Sequence, residues 1–377
     1  MKKKILLTRF CKVVSLLLAV FLVLQFLQEY VLCCADNNRE RIKDYYLEKQ
    51  DTLDVVMIGA SEVYAGYAGA YAYSEYGYTS YPFATQGNTI LNYLTCVKEA
   101  VRTQHPQMLV IEINGALYDD AWLDKETYLR FLADNMPNNE NKRELTAQFD
   151  YYDDMDAYLP IMKYHTVWQN FPLGLEWSGS MLLSHLRGHN LLKGVTTTTN
   201  IYHTQDKLYN NDQTVTKTPL TDRSQKALVE LLEYCKQENL NVVFVRFPHL
   251  VNLKGLRRMR RSLAAAEVIR SYGYEYIGLD EKFDEIGLDP DHDFYNPEHL
   301  NVYGQKKLTE YLGKRISDKL GGKRVPLSKS VREEWDTSVA YYDAFCQYAD
   351  EVIREGDDVI RIGEDVVSLF RMEAYLK

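Results

Sequence analysis

The chain has 377 residues, of which 46% are hydrophobic and 26% charged, and it carries a formal net charge of −9. This is an ordinary globular composition, long enough for one large core or two modest ones. It excludes a nucleic-acid binder, because neutralising phosphates needs a basic face and none is visible. The six cysteines, at positions 11, 33, 34, 96, 235 and 346, form no C-x-x-C pair and no regular framework, which argues against a metal centre or a disulfide scaffold.

The first element is a membrane segment. Lys2, Lys3, Lys4, Arg9 and Lys12 precede an apolar run over residues 13–32, about 30 Å long as a helix and just enough to span a bilayer. The positive charges should stay cytoplasmic, so residues 1–35 read as a basic stub and a single-pass signal anchor in the cell membrane, with everything later on the extracytoplasmic side. The alternative is a cleaved signal peptide, since Cys33-Cys34-Ala35 supplies small residues where a signal peptidase cuts. Cys33 and Cys34 otherwise end a membrane helix or pair or acylate at its edge.

After a charged connector over 36–52, strands alternate with helices. Residues 53–58, 78–84 and 108–113 read as buried strands and 90–102 as a helix. Later, 241–247 and 274–279 read as strands, and 224–238, 263–272 and 304–320 as helices. Such alternation predicts an α/β domain with a parallel sheet over 53–322. It is interrupted at about 117–222 by an insertion rich in Asp, Asn, Tyr and Trp that contains Thr196-Thr197-Thr198-Thr199 and a helix-like stretch over 155–171. An insertion at the carboxyl ends of the strands would act as a cap that shapes ligand choice. Residues 323–377 read as an acidic helical tail, best over 331–355.

Two short segments carry the chemistry. Asp54-Val-Val-Met-Ile-Gly59-Ala60-Ser61-Glu62 is an apolar strand that stops at a glycine and presents a serine; Asn296-Pro297-Glu298-His299-Leu300-Asn301-Val302-Tyr303-Gly304 delivers a histidine just before a helix. A serine hydroxyl is a poor nucleophile at neutral pH, and imidazole is the base suited to activate it. Gly59 offers backbone freedom at the turn. Thr85-Gln86-Gly87-Asn88 and Glu112-Ile113-Asn114-Gly115 follow the next two strands. Three strand ends thus offer a serine, a backbone N–H at Gly87 and the amide of Asn114, which is the composition of an oxyanion hole.

These residues resemble the SGNH/GDSL hydrolases, particularly a membrane-anchored bacterial branch related to cell-surface acyl-transfer proteins. The resemblance covers residues 54–114 and 224–320, and implies a three-layer, flavodoxin-like parallel sheet with a helical insertion. It implies Ser61 as nucleophile, His299 as base, and Ser61, Gly87 and Asn114 as the oxyanion hole. The family places an aspartate three residues before the histidine, where this chain has Asn296. An amide can orient an imidazole but cannot stabilise imidazolium by charge. Either Asp293 or Glu298 swings in as the acid, or Ser61 and His299 work as a dyad, or catalysis is lost.

Other residues carry two readings each. Asp291-His292-Asp293 with His299 could be drawn as a metal cluster, but the proline-flanked turn reads as solvated loop. Arg246, at a strand end, is a candidate contact for a substrate anion or half of a buried ion pair, and Glu62 is a second candidate substrate contact. Tyr164, His165 and Trp168 could line a sugar pocket or pack the insertion. The 30 tyrosines suit a polar-aromatic surface and specify nothing. Nothing here calls for a cofactor or a metal. The expectation is an extracytoplasmic esterase or O-acyltransferase acting on acyl esters of a cell-surface polysaccharide or other polymer, with a polytopic membrane acyltransferase as partner. The alternative is a catalytically silent glycan-binding or partner protein of the same fold.

Overall fold

A computed structural model describes residues 2–32, 37–152, 159, 161–187, 190–355 and 361–362. The chain forms two compact units. One comprises Asn37–Leu145 and His189–Lys377, the other Met1–Asp36 and Thr146–Gly188.

The larger unit is built on five parallel strands: β1 (Val55–Gly59), β2 (Ser80–Ala84), β3 (Met108–Glu112), β5 (Val242–Arg246) and β6 (Glu275–Gly278), in spatial order β2-β1-β3-β5-β6, with the two-residue strand β4 (Thr197–Thr198) outside this sheet. This is the flavodoxin-like order expected of an SGNH fold. The four strands β1, β2, β3 and β5 are buried along their whole length, which is why their sequences are continuous apolar runs with no alternation. The crossovers include amphipathic helices Ile90–Gln104, Asp222–Gln237 and Leu256–Ser271, and a fourth helix, Val302–Leu320, follows the last strand of the sheet. Val55, Met57, Val110 and Val245 on the sheet pack with Leu308, Leu312 and Ile316 of the Val302–Leu320 helix in one core.

Register decides where the loops emerge. Gly59 pairs with Ala84, and Ile58 with Ile111, so the turns after β1, β2 and β3 leave the sheet at one edge. The order reverses between β1 and β3, and ligands of open α/β sheets bind at that crevice.

Two segments differ from the sequence reading. The charged connector is a helix, Asn37–Leu47, with Arg39, Glu40, Arg41 and Asp44 buried. Arg41 reaches the Gly194 carbonyl at 2.7 Å, and Glu48, just after the helix, pairs with Lys193 at 2.8 Å. The segment read as a charged connector because the partners of its charges lie about 150 residues away. The tail helix, Lys329–Glu355, also packs into this unit. Trp335 is fully buried, and Tyr342 and Phe345 close over Ala68, Ala70 and Val302.

The smaller unit holds the anchor. A helix over Lys2–Phe26 continues as a π-helical turn, Leu27–Val31, and Ile5–Val31 is long and apolar enough to cross a membrane, with mean hydropathy 2.5. Of the helix-like 155–171 stretch, residues 155–158 and 160 lie outside the described residues, as does Cys33-Cys34-Ala35. The rest forms two short turns, Ile161–Tyr164 and His165–Gln169, followed by an unanticipated helix, Phe171–Arg187.

Candidate active site

Ser61 opens a short helix, Ser61–Gly66, directly after β1. Its backbone N–H is therefore among the helix-start groups that have no intrahelical acceptor. Gly59 is required here for closeness, not for unusual backbone freedom. A Cβ would meet Val63 at 2.5 Å and the Glu112 Cβ at 2.7 Å, and its φ is not among the positive values.

His299 arrives on a two-stranded antiparallel hairpin, β7 (Phe294–Asn296) with β8 (His299–Leu300), whose register pairs Asn296 with His299. Immediately afterwards Asn301 caps the Val302–Leu320 helix, its side chain accepting the N–H groups of Tyr303 and Gly304. Hairpin and cap together hold the histidine across 238 residues of chain from the serine. The His299 Nε2 lies 2.7 Å from Ser61 Oγ, and Nδ1 lies 2.9 Å from Asn296 Oδ1. Asn296 Oδ1 also accepts the Glu298 N–H at 2.9 Å, which settles the orientation of the amide. Its oxygen faces the ring, so Nδ1 donates and Nε2 keeps a lone pair for the serine proton. Tyr295 stacks on the His299 ring, centroids 5.3 Å apart.

Neither alternative acid occupies that place. Asp293 is fully buried and engaged elsewhere, with Lys307 Nζ at 2.7 Å, His292 Nδ1 at 2.9 Å and the Asp289 N–H at 2.7 Å. Glu298 pairs with Arg258 at 2.7 Å. Sequence proximity favoured both, but the hairpin register presents Asn296.

A negative charge nevertheless sits at the nucleophile. Glu62 is 3% exposed, and its Oε2 lies 3.5 Å from Ser61 Oγ. Its Oε1 accepts from Asn114 Nδ2 and faces His249 Nε2 at 3.4 Å, while His249 Nδ1 is held by the Phe247 carbonyl at 2.7 Å. Burial opposes ionisation of Glu62. The hydrogen bond and charge of His249, with the charge of His299, overcome it and hold the carboxyl at about 2. Glu112, beside it, goes the other way, since burial and the negative charge of Glu62 raise its pKa well above the usual range. Within the pair, Glu62 is pulled toward the ionised form and Glu112 toward the protonated one.

The oxyanion candidates are partly assembled. Gly87 takes the positive φ of +59°, and Asn88 ties its loop to the β1 turn through Nδ2 to the Gly59 carbonyl at 3.0 Å. Asn114 is buried in the site, but its amide donates to Glu62 and, at 3.3 Å, to the Tyr118 hydroxyl. The donor expected to face a substrate oxygen is given to a carboxylate in this arrangement.

Arg246 is 1% exposed and bound to Asp280 at 2.8 Å and Ser262 at 3.0 Å, the buried ion pair rather than a substrate contact. Trp168 belongs to the smaller unit, where its Nε1 donates to the Val31 carbonyl at 2.8 Å. The aromatic wall of the site comes instead from residues that sequence inspection passed over. Tyr118, Trp122 and Tyr128 stack in succession at 5.0 and 4.9 Å, running from Asn114 to Gly87, whose carbonyl accepts from Trp122 Nε1 at 3.4 Å. Lys125 lies over the Trp122 ring and Arg258 over Tyr118. A Tyr-x-x-x-Trp spacing just after a strand end was the available signal.

No family model and no curated protein matches the chain. Among solved structures it is similar to a protein assigned to the G-D-S-L lipolytic family from Desulfitobacterium hafniense DCB-2, at 8% identity and a TM-score of 0.35, over 69% of this chain and 97% of that one. A likeness at that level says nothing about activity, which rests on the geometry above.

Proposed function

We propose that this chain is an extracytoplasmic serine enzyme that moves acyl groups on a cell-surface polymer. The observation that carries the reading is the continuous relay Ser61–His299–Asn296, at 2.7 and 2.9 Å, with the imidazole in the tautomer that base catalysis needs. Ser61 Oγ attacks the acyl carbonyl as its proton passes to His299 Nε2. The tetrahedral oxyanion takes N–H donors from Ser61 and Gly87. Collapse breaks the ester bond, His299 returns the proton to the leaving oxygen, and an acyl-Ser61 remains. The acceptor hydroxyl then gives its proton to His299 and attacks the same carbonyl, and the second tetrahedral intermediate collapses by breaking the bond to Ser61 Oγ, which takes the proton back from His299. Water as acceptor makes an esterase, and a sugar hydroxyl makes an O-acyltransferase.

Half-buried Trp122 and Tyr128, beside Gly87, favour a glycan through their ring rims and polar edges, which can hydrogen-bond to sugar hydroxyls; Tyr118 is buried behind them. A polytopic membrane acyltransferase as acyl supplier fits a catalytic unit tethered by an apolar helix.

The rival reading, a glycan-binding partner without turnover, is favoured by the neutral Asn296 and by the commitment of the Asn114 amide to Glu62. A fluorophosphonate probe applied to the full chain separates them. Labelling that disappears in Ser61→Ala and His299→Ala supports the enzyme; an unlabelled native protein supports the binding module.

A further inference from the structure

The Phe171–Arg187 helix leaves an apolar stripe uncovered. Phe171, Leu175, Leu182 and Leu186 are 62%, 58%, 52% and 70% exposed. Their spacing of four, seven and four places them on one side of the helix, with Gly179 between them. One flank of the stripe is packed: Gly174 and Met181 are buried, and a Cβ on Gly174 would meet the Trp168 ring at 2.8 Å. Only Glu176 and Arg187 are charged in the helix. A soluble surface rarely carries such a stripe without a use.

The contacts of this helix say what covers it. Within the smaller unit it is seated on the end of the membrane-length helix: the Tyr30 hydroxyl meets His185 Nδ1 at 3.1 Å, with the two rings edge to face at 5.5 Å. Trp168 donates to the Val31 carbonyl at 2.8 Å and packs on Phe171 at 5.7 Å. Tyr and Trp collect where a membrane helix leaves the hydrocarbon. The helix is about 25 Å long at 17 residues, short of the roughly 30 Å hydrocarbon core, so it suits the interface plane.

We infer that Phe171–Arg187 is an interfacial membrane helix, its 171/175/182/186 stripe buried in the lipid leaflet that the anchor helix leaves. This inference rests on the anchor crossing a bilayer. Its consequence is a second, non-covalent attachment beside the anchor, made by the same unit and independent of any catalytic residue.

The test uses the full chain reconstituted in phosphatidylcholine–phosphatidylglycerol vesicles, with the photocrosslinker p-benzoylphenylalanine placed singly at Leu182, at Val20 in the anchor and at Leu47 in the larger unit. Mass spectrometry identifies the adducts. Lipid adducts at 182 approaching the yield at 20, with none at 47, are expected. Adducts at 20 alone overturn the interfacial helix and leave the anchor standing, and loss at both overturns the anchor as well. Crosslinking of residue 182 to a second copy of the chain in place of lipid also overturns the inference.

Discussion

At the residue scale, the position three before the histidine holds an amide, yet the site is not without negative charge. Glu62 lies against Ser61 and interacts electrostatically with His299, so in the proposed mechanism it would stabilise the imidazolium formed when the serine proton moves. It also repels a developing oxyanion and occupies the Asn114 amide, which makes it a poorer solution than a carboxylate on the far side of the ring. A charged acceptor is worth about 1–2 kcal/mol more than a neutral one, so Asn296→Asp should raise kcat/KM for p-nitrophenyl acetate by about tenfold. Glu62→Gln should lower it in the native background, and move the acid limb of the pH–rate profile to lower pH, because a negative charge near the base is gone. In the Asn296→Asp background the same change should cost less, since the two carboxylates do one job. Equal losses in both backgrounds would show that Glu62 acts independently of the imidazole.

At the element scale, the site depends on two short devices. The Gly87 turn holds φ +59°, and a Cβ there would overlap the Tyr128 ring. Gly87→Ala therefore combines about 1–2 kcal/mol of backbone strain with a displaced aromatic wall. It should lower activity several-fold while leaving fluorophosphonate labelling of Ser61 detectable. The Asn301 cap joins hairpin to helix: besides accepting two helix N–H groups, its Nδ2 donates to the His292 carbonyl at 2.6 Å. Asn301→Ala should cost about 1–2 kcal/mol, seen as a lowered urea midpoint. Because His299 is two residues away, activity should fall by more than the stability loss alone requires.

At the scale of the whole molecule, the paired acids Glu62 and Glu112 set opposite pH dependences. Glu62 titrates lower in the folded chain than in the unfolded one, so its contribution to stability is present above the ordinary glutamate range and is lost as pH falls toward about 2. Glu112 titrates higher when folded, so stability is fullest at acid pH and declines as pH rises from the ordinary glutamate range through its folded value. Glu112→Gln keeps an acceptor for the Asn114 N–H, 2.7 Å from Glu112 Oε1, and cannot ionise. Its melting temperature should exceed that of the native chain at neutral pH, and the difference should shrink on acidification. A difference that does not depend on pH would assign the effect to packing.

Much of the fold was legible before any coordinates, because buried parallel strands are written as unbroken apolar runs and their crossover helices by amphipathic spacing. Segments 53–58, 108–113, 241–247 and 304–320 each correspond to an observed element within a few residues. That Ser61 and His299 are candidates for one site was legible for a local reason: each lies in a short motif whose backbone role is defined by its neighbours, a strand-ending glycine before Ser61 and a helix cap after His299. What surrounds them was not. Asp293 read as a candidate acid, and Arg246 as either a substrate contact or half of a buried ion pair, until tertiary structure paired each with a distant partner, Lys307 and Asp280. The connector read only as a charged link until its charges were matched from residues 193–196, and Tyr118, Trp122 and Tyr128 meet Gly87 only because the loops after β2 and β3 emerge side by side. Periodicity and turn chemistry are properties of neighbours along the chain. The partner of a buried charge is chosen by packing between segments far apart in sequence, and only the folded chain brings them together.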